Sequence, residues 1–311
     1  HQVPNQPLFE GRKEDDLITD TWLKYLETGD ETWPLLFPMV KSAVKAMDAI
    51  EELAASEWKT PVEGFVITGA SKRGWTSWLT PAADKRVVAT APMVIDVLNF
   101  RPQMKHQLEA WGEYSEQIID YTSKGLIKEG EESPRDTQLR LMMDPYTYRQ
   151  QLTLPKLLVN GTNDRYWVAD AMSLYWDELV GPKYVLQVPN AGHGLDGGHE
   201  RVLSTIATFF QHAATKTPLP DLEWKHLRTD AGFHLSVSST GKPKSVHLWV
   251  AHSDSRDFRE SKWESHELEG DAGSFVGSIA KPERGHVAYY SEVRYEHHGL
   301  PYSLCTVIRC E

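Results

Sequence analysis

Hydrophobic and polar positions follow two different patterns along the chain, and the pattern changes near residue 217. Before that point, short runs rich in β-branched and aromatic residues end at Gly69, Ile95, Asn160 and Val188. Between these runs lie segments whose apolar residues recur at helical spacing. Strands that alternate with helices in this way predict a parallel sheet covered on both faces.

The helical segments carry apolar stripes and residues that begin or end a helix. Asp15–Leu26 has apolar residues on one face and is followed by Gly29, and a longer stripe runs from Pro34 to Ser56. The two prolines of Val3–Leu8 exclude a helix and predict an extended piece there. Further helices are predicted at 75–79, 169–179 and 200–214.

The alternation is interrupted between residues 99 and 151, where the sequence is mostly helical in pattern. An insertion of this size between two core strands is the usual position of a cap over an active site. Extra helical packing with no role in binding is the alternative, and the pattern alone does not separate the two.

Beyond the linker Thr217–Pro220 the chain changes to short alternating runs separated by turn residues. This pattern predicts an antiparallel β-sandwich. We therefore expect two domains, an α/β domain over 1–217 with its cap at about 99–151, and a β-sandwich over 218–311. The predicted strands of the second domain are 223–227, 233–238, 245–252, 263–268, 274–280, 286–295 and 302–308.

Composition narrows the functional classes. The 311 residues carry a net charge of −11 without a basic stripe, so nucleic acid is not an expected partner. No apolar run approaches the ~20 residues that a membrane-spanning helix needs. The two cysteines, Cys305 and Cys310, rule out a disulfide-rich scaffold, and a bond between them would require a turn.

The first candidate site is Gly69-Ala-Ser-Lys-Arg-Gly74, which lies between a predicted strand and a predicted helix. A serine flanked by small residues at such a point is typical of the nucleophile elbow of α/β-hydrolases. The usual second small residue would stand at position 73, where this chain has Arg73, with Gly74 one step later. An ordinary Gly-Ser turn is the alternative for this window.

Two further motifs follow predicted strands. Asp164 closes Asn160-Gly-Thr-Asn-Asp164, and His193 lies in Pro189-Asn-Ala-Gly-His-Gly194. Active sites of open α/β sheets form at the carboxyl ends of the strands, so these residues are expected to converge with Ser71. The imidazole would take the serine proton, and the carboxylate would hold the imidazole in the required tautomer.

Several other residues are assigned by their place around this triad. The backbone N–H of Lys72 would stabilise an oxyanion, because the residue after the nucleophile normally does so. Asp96 is an alternative acid, since it also ends a strand. Candidate substrate contacts are Arg73, Trp111, Tyr114 and Trp167. Asp196 and His199 have no matching ligand pair elsewhere, so neither a metal nor another cofactor is expected.

Four motifs together resemble one family. They are Gly69-Ala-Ser-Lys-Arg-Gly-Trp-Thr76, Ala91-Pro-Met-Val-Ile-Asp96, Asn160-Gly-Thr-Asn-Asp164 and Asn190-Ala-Gly-His193, and with the early Val3-Pro-Asn-Gln-Pro7 they are similar to the PhoPQ-activated pathogenicity-related proteins, a family that includes the autocrine proliferation repressors. The resemblance implies an α/β-hydrolase that is secreted, extracellular or periplasmic. It also implies the triad Ser71, Asp164 and His193, and it makes Arg73 a family feature.

The resemblance also raises a question about the sheet. Such proteins usually have further strands before the segment that begins here, and one of these leads into the loop with the second oxyanion donor. We therefore expect a sheet without its N-terminal strands. Either an N-terminal fragment that was removed or left out would complete it, or the sheet is incomplete, which argues against catalysis.

The predicted function is a serine hydrolase that is esterase-like, or else a peptidase, acting on a small-molecule or peptide substrate. The alternative from a different class is a secreted signalling or binding protein that uses a hydrolase scaffold with little or no catalysis.

Overall fold

Parallel strands form the sheet of the first part of the chain in the computed structural model, which describes residues 3–271 and 273–311. The strands lie in the order β1-β2-β3-β4, and each pairs with the next in parallel. Residues in β3 are all buried, as expected for a strand covered on both faces. The strands are β1 (Phe65–Ala70), β2 (Val87–Met93), β3 (Lys156–Gly161) and β4 (Lys183–Val188).

Helices cover this sheet. Helix α3 packs on β1 and β2, whereas α7 contacts β2, β3 and β4, and α2 packs on α3. Gly29 ends α1 in the left-handed conformation that glycine adopts at low cost, with φ of 76°. Within the described residues the α-helices are α1 (Glu14–Thr28), α2 (Leu36–Leu53), α3 (Lys72–Ala83), α4 (Phe100–Trp111), α5 (Ile119–Thr122), α6 (Pro134–Met143) and α7 (His199–Ala214).

The insertion between β2 and β3 is helical, as the sequence predicts. It contains α4, α5, α6 and two short 3₁₀ turns, Glu116–Ile118 and Pro145–Tyr148. Helix α6 begins with a capping box in which Ser133 and Asp136 satisfy each other's backbone N–H groups. Helix α1 packs against α5 and α6, so the first helix of the chain and the insertion form one helical layer.

The local structure differs from the sequence prediction in three places. Val3–Asn5 is a 3₁₀ helix rather than an extended piece, because a proline is compatible with the first turn of a helix. The predicted helix at 169–179 is instead two 3₁₀ turns, 171–174 and 176–178, separated by Tyr175. The stripe of α2 continues into a π-helical turn, Ala54–Trp58.

The C-terminal part is all-β and contains two antiparallel sheets. Each of the seven predicted runs overlaps a strand, and β9 and β13 are short additions. One sheet has the order β5-β6-β10-β9, and the other has the order β12-β11-β7-β8 with β13 beside β11. The strands are β5 (Leu222–Thr229), β6 (Gly232–Ser239), β7 (Ser245–Ser253), β8 (Glu264–Glu267), β9 (Gly270–Asp271), β10 (Ser274–Ala280), β11 (His286–His297), β12 (Leu300–Cys305) and β13 (Arg309–Cys310).

Aromatic side chains fill the space between these two sheets. The rings of Phe233 on β6 and Tyr289 on β11 stack with centroids 6.1 Å apart. A side chain at Gly277 on β10 would meet Leu248 on β7 at 2.9 Å, so glycine permits the close approach of the sheets there. Cys305 and Cys310 are both free thiols, and no disulfide joins them.

Candidate active site

Ser71 lies at the turn between β1 and α3 in a conformation that few residues adopt. Its φ is 56° and its ψ is −129°, and its backbone N–H donates to the carbonyl of Met93 on β2. Positive φ at a residue with a side chain costs energy and is concentrated at functional sites. The backbone of Ser71 therefore has the geometry of a strained strand-to-helix elbow.

Gly69 and Gly74 allow this turn to pack closely against α3 and β2. A Cβ at Gly69 would lie 2.6 Å from the carbonyl oxygen of Arg73, and a Cβ at Gly74 would lie 2.8 Å from that of Met93. Neither approach leaves space for a side chain. The second small residue is thus needed at position 74, where α3 passes β2, and Arg73 does not disturb the turn.

Asp164 and His193 are hydrogen-bonded to each other. The Nδ1 atom of His193 is 2.8 Å from Oδ2 of Asp164, and the other carboxylate oxygen accepts from the backbone N–H of Tyr166 at 2.9 Å. Asp164 is 5% exposed. A buried carboxylate held on both oxygens fixes the orientation of the imidazole, as a catalytic acid does.

The other imidazole nitrogen has no protein partner. His193 Nε2 is buried and makes no hydrogen bond to the described residues, so the bond from Ser71 Oγ that would complete the series is not formed. The ring of Tyr166 lies over the imidazole with centroids 4.1 Å apart. Catalytic hydrogen bonds are often long in unliganded enzymes and shorten in the substrate complex.

The strand ends bring these residues to one edge of the sheet. Ser71 follows β1, Asp164 follows β3 and His193 follows β4, all at the carboxyl ends. A cavity of about 90 Å³ opens beside Ser71, and Tyr166, which covers His193, is also part of its wall. Apart from Ser71 and Tyr166, the cavity is lined by Asp15, Trp22, Lys72, Trp75, Ile95, Val97, Phe100, Met104, Ile118, Tyr121, Leu126, Ile127 and Trp167.

Acidic residues at the start of α1 neutralise the basic residues of the elbow, a contact that sequence reasoning missed. Lys72 Nζ lies 3.1 Å from Glu14 and 3.0 Å from Asp15, and Arg73 pairs with Glu14 at 3.0 Å. Burial lowers the pKa of Lys72, but the two carboxylates outweigh it and the pKa is raised. The guanidinium of Arg73 is thus engaged by α1 and does not line the cavity.

The other proposed substrate contacts lie in different places. Trp167 lines the cavity beside Ser71. Tyr114 lines a second, larger cavity under the insertion. Trp111 lines neither, because the guanidinium of Arg259 covers its ring at 4.2 Å. The structure thus places Trp167 near the serine and Trp111 in a contact with the C-terminal part.

Asp96 is not bonded to His193. Its carboxylate accepts a short hydrogen bond from the hydroxyl of Tyr175, and it is 5% exposed. Burial raises the pKa of Asp96 to about 7, and the nearby Asp164 and Asp170 act in the same direction. The arrangement favours Asp164 over Asp96 as the triad acid, and the residue that holds Asp96 belongs to the segment predicted as a helix.

Asp96 should make the stability of the fold depend on pH. Because its folded pKa lies above the usual value near 4, the unfolded chain releases this proton first as the pH rises, and stability is lost between about pH 4 and pH 7. Asp96→Asn keeps an acceptor for Tyr175 but has no proton to release. We expect its free energy of unfolding, relative to wild type, to rise by about 1.4 kcal/mol per pH unit across that window, measured by urea unfolding.

Asp170→Asn is the matched control with the opposite sign. Burial raises the pKa of Asp170, but His106 and Arg256 outweigh burial and lower it. The stabilisation that ionised Asp170 contributes to the fold is therefore present at neutral pH and lost in acid. A relative stability of Asp96→Asn that stays constant from pH 4 to pH 8 would contradict the assigned ionisation.

A short segment of the C-terminal part holds the loops of Asp164 and His193. We call residues 258–263 the strap. Asn163 Nδ2 donates to the carbonyls of Phe258, Arg259 and Ser261, at 3.2, 3.2 and 2.7 Å. Asn190 forms a two-way pair with the backbone of Trp263, at 3.0 and 2.7 Å.

The hydrogen bonds to the strap account for the asparagines in the loops of Asp164 and His193. Asn163 immediately precedes Asp164, and Asn190 is in the loop that carries His193. The loops are joined to each other as well, because Asn163 N donates to the carbonyl of Ala191 at 3.0 Å. No local sequence signal could reveal these contacts, since each joins residues far apart in the chain.

We expect Asn163→Asp to destabilise the protein. The substituted carboxylate has the same size but would face three carbonyl oxygens without a proton to donate. Loss of these hydrogen bonds should lower the free energy of unfolding by about 1–3 kcal/mol, measured by urea denaturation. Ser261→Ala is the control, because it keeps the carbonyl that Asn163 binds; equal effects of the two changes would argue against the strap.

The described residues contain no group of three potential ligands arranged to hold a metal ion. Among them there is also no helix that is both long and apolar enough to cross a membrane.

The fold and the elbow define the class, an α/β-hydrolase-type protein with a helical insertion. The chain belongs to the PhoPQ-activated pathogenicity-related protein family, whose family model matches residues 1–259. It is also 32% identical to Autocrine proliferation repressor protein A of Dictyostelium discoideum over 323 residues, which cover 94% of this chain. The chain spans 65% of the length of that curated relative.

Solved structures with similar folds include hydrolases. Est1E from Butyrivibrio proteoclasticus matches with a TM-score of 0.40 and 15% identity, over 58% of this chain and 71% of that one. The acetyl xylan esterase from Paenibacillus sp. R4 matches with a TM-score of 0.42 and 12% identity, over 58% of this chain and 52% of that one. At these values neither structure bears on the substrate.

Proposed function

We propose that the protein is a serine hydrolase that cleaves esters, with Ser71 as nucleophile, His193 as general base and Asp164 as the acid that orients it. One observation carries the proposal. The serine with φ of 56° stands at the same edge of the sheet as a buried carboxylate bonded to an imidazole. Backbone strain at a side-chain-bearing residue is costly and is concentrated at active sites, and a serine nucleophile needs a base that a third group orients.

The first step would be attack of Ser71 Oγ on the ester carbonyl while its proton passes to His193 Nε2. That nitrogen is buried and has no partner among the described residues, so it is available to accept a proton. Helix α3 begins at Lys72, whose backbone N–H therefore has no acceptor within the helix and can face the oxyanion. Peptide hydrolysis is the second choice, because the same triad serves both reactions.

The second oxyanion donor of this mechanism normally comes from a loop that follows another strand of the sheet. Strand β1 pairs with β2 on one side, and no other strand of residues 3–271 and 273–311 pairs with it. An unpaired edge exposes backbone donors and acceptors to another strand. We propose that a further polypeptide segment pairs there and brings the second donor toward Ser71.

The experiment that tests the proposal is labelling with a fluorophosphonate, which reacts with activated serines, followed by peptide mapping. We expect the label at Ser71 in wild type, with a rate at least about 100-fold lower in His193→Ala. His199→Ala is the matched control, because this exposed histidine near the same loop bonds only the carbonyl of Gly194. Its labelling rate should equal that of wild type.

A second function has its own support. The name of the Dictyostelium discoideum relative describes a repressor of proliferation, and the hydrogen bond from Ser71 to His193 is not formed. A secreted signalling or binding protein on a hydrolase scaffold would account for both. Folded protein that takes no label at Ser71, also when supplied with the segment that pairs with β1, would favour this second function.

A further inference from the structure

A second cavity lies next to the one beside Ser71. It has a volume of about 620 Å³ and lies between α4, α6 and the loop that joins α5 to α6. We call it the outer groove and the 90 Å³ cavity the inner cavity. The side chains that line both are Trp22, Phe100, Met104, Leu126 and Ile127.

This shared wall is apolar and thin. A side chain that borders two cavities separates them by a single layer, so a small movement would join them. Met104 is the most adaptable member, because an unbranched thioether with three rotatable bonds changes shape at little cost. A linear group could therefore extend from Ser71 past Met104 into the outer groove.

Most of the charged residues around the outer groove are already paired. Arg140 lies 2.9 Å from Glu132, and Lys128 lies 2.8 Å from Asp136. The guanidinium of Arg101 donates to the carbonyl of Gly130 at 2.6 Å. Balanced charges of this kind give an anionic or cationic ligand little additional attraction, whereas the floor of the groove offers apolar surface.

Leucines form much of that floor. Leu108 on α4 and Leu139 on α6 line the outer groove but not the inner cavity. An unbranched hydrocarbon chain lying on them would gain affinity with each methylene removed from water, by about fourfold in binding. Polar substrates such as sugars would leave this surface without matching contacts.

We propose that the outer groove binds the unbranched apolar chain of an ester whose carbonyl lies in the inner cavity. The proposal rests on the hydrolase function proposed above and adds the class of substrate, a medium-chain ester. The chain belongs either to the acyl group or to the alcohol, and both would be held by the same side chains.

The test compares kcat/KM for p-nitrophenyl esters from acetate to decanoate, which vary the acyl chain, with alkyl acetates, which vary the alcohol. We expect kcat/KM to rise about fourfold per methylene in one of the two series. In Leu108→Glu the ratio of decanoate to acetate should fall about tenfold, or that of decyl to methyl acetate if the alcohol series responds. The control is Leu141→Glu on α6, a leucine that is 39% exposed and outside the groove; its ratios should equal those of wild type.

A binding measurement distinguishes an error in the proposed groove from an error in the proposed catalytic function. The Ser71→Ala variant is titrated with 1-octanol by calorimetry, with and without Leu108→Glu. Octanol binding that Leu108→Glu weakens about tenfold would support the groove even if no ester is cleaved. Absence of octanol binding, or a preference for the shortest ester in both series, would overturn the proposal.

Discussion

Ser71→Ala is expected to lower the rate of ester hydrolysis by at least about 10³-fold, because the proposed nucleophile is removed while the pocket remains. Folding should be unaffected. Alanine keeps the Cβ that the strained backbone already accommodates, and the Ser71 side chain makes no capping hydrogen bond to α3. The measurement is kcat with p-nitrophenyl butyrate, beside the free energy of unfolding of both proteins.

The control for this change is Ser77→Ala, which removes a hydroxyl from the same helix. Ser77 Oγ donates to the carbonyl of Arg73 at 2.9 Å and is not part of the cavity wall. Its loss should change kcat less than about twofold. Equal rates for wild type and Ser71→Ala would show that another residue performs any hydrolysis, and would remove the reason for the elbow strain.

Local sequence patterns predicted the elements that carry this site. The β-branched runs ended within one residue of the ends of β1, β3 and β4, and loops that follow parallel strands meet at one edge. The position of Ser71, Asp164 and His193 at that edge therefore followed from strand ends and chain order. Burial on both faces made the runs of β3 and β4 easy to recognise, whereas β1 is only half-buried.

The contacts that hold the site were not predictable in the same way. Lys72 pairs with Glu14 and Asp15, and Asn163 binds the strap, across 57 to 98 residues of chain. Such pairs leave no periodic signal, because periodicity reports only neighbours along one element. The acidic run that begins at Glu14 looked like an ordinary helix start, where carboxylates are favoured anyway.

The prediction of a helix at 169–179 was wrong, and the segment shows how tertiary contacts override a local pattern. Tyr175 lies between two 3₁₀ turns, and its hydroxyl reaches the buried Asp96. Asp170 at the start of the segment is bound by His106 and Arg256. These polar bonds fix the segment in place of a continuous α-helix. They involve two carboxylates, Asp96 and Asp170, and the charge of Asp170 raises the pKa of Asp96.

A change at Asp164, the acid of the proposed triad, best distinguishes a catalytic role from a role in the fold. Asp164→Asn should keep the amide oxygen that accepts from Tyr166 N but present an N–H₂ group to His193 Nδ1. The imidazole would then carry its proton on Nε2 and could not accept one from Ser71. We expect kcat to fall about 10³- to 10⁴-fold with little change in KM, measured with the same ester.

Asp170→Asn is the matched control, because it alters another buried carboxylate that is bonded to an imidazole. Oδ1 of Asp170 lies 2.6 Å from Nε2 of His106, which does not line the cavity beside Ser71. Its substitution should lower stability but leave kcat per labelled serine within a few-fold of wild type. If both variants lose activity equally, the carboxylates act through the fold, and His193 is not the base that Asp164 orients.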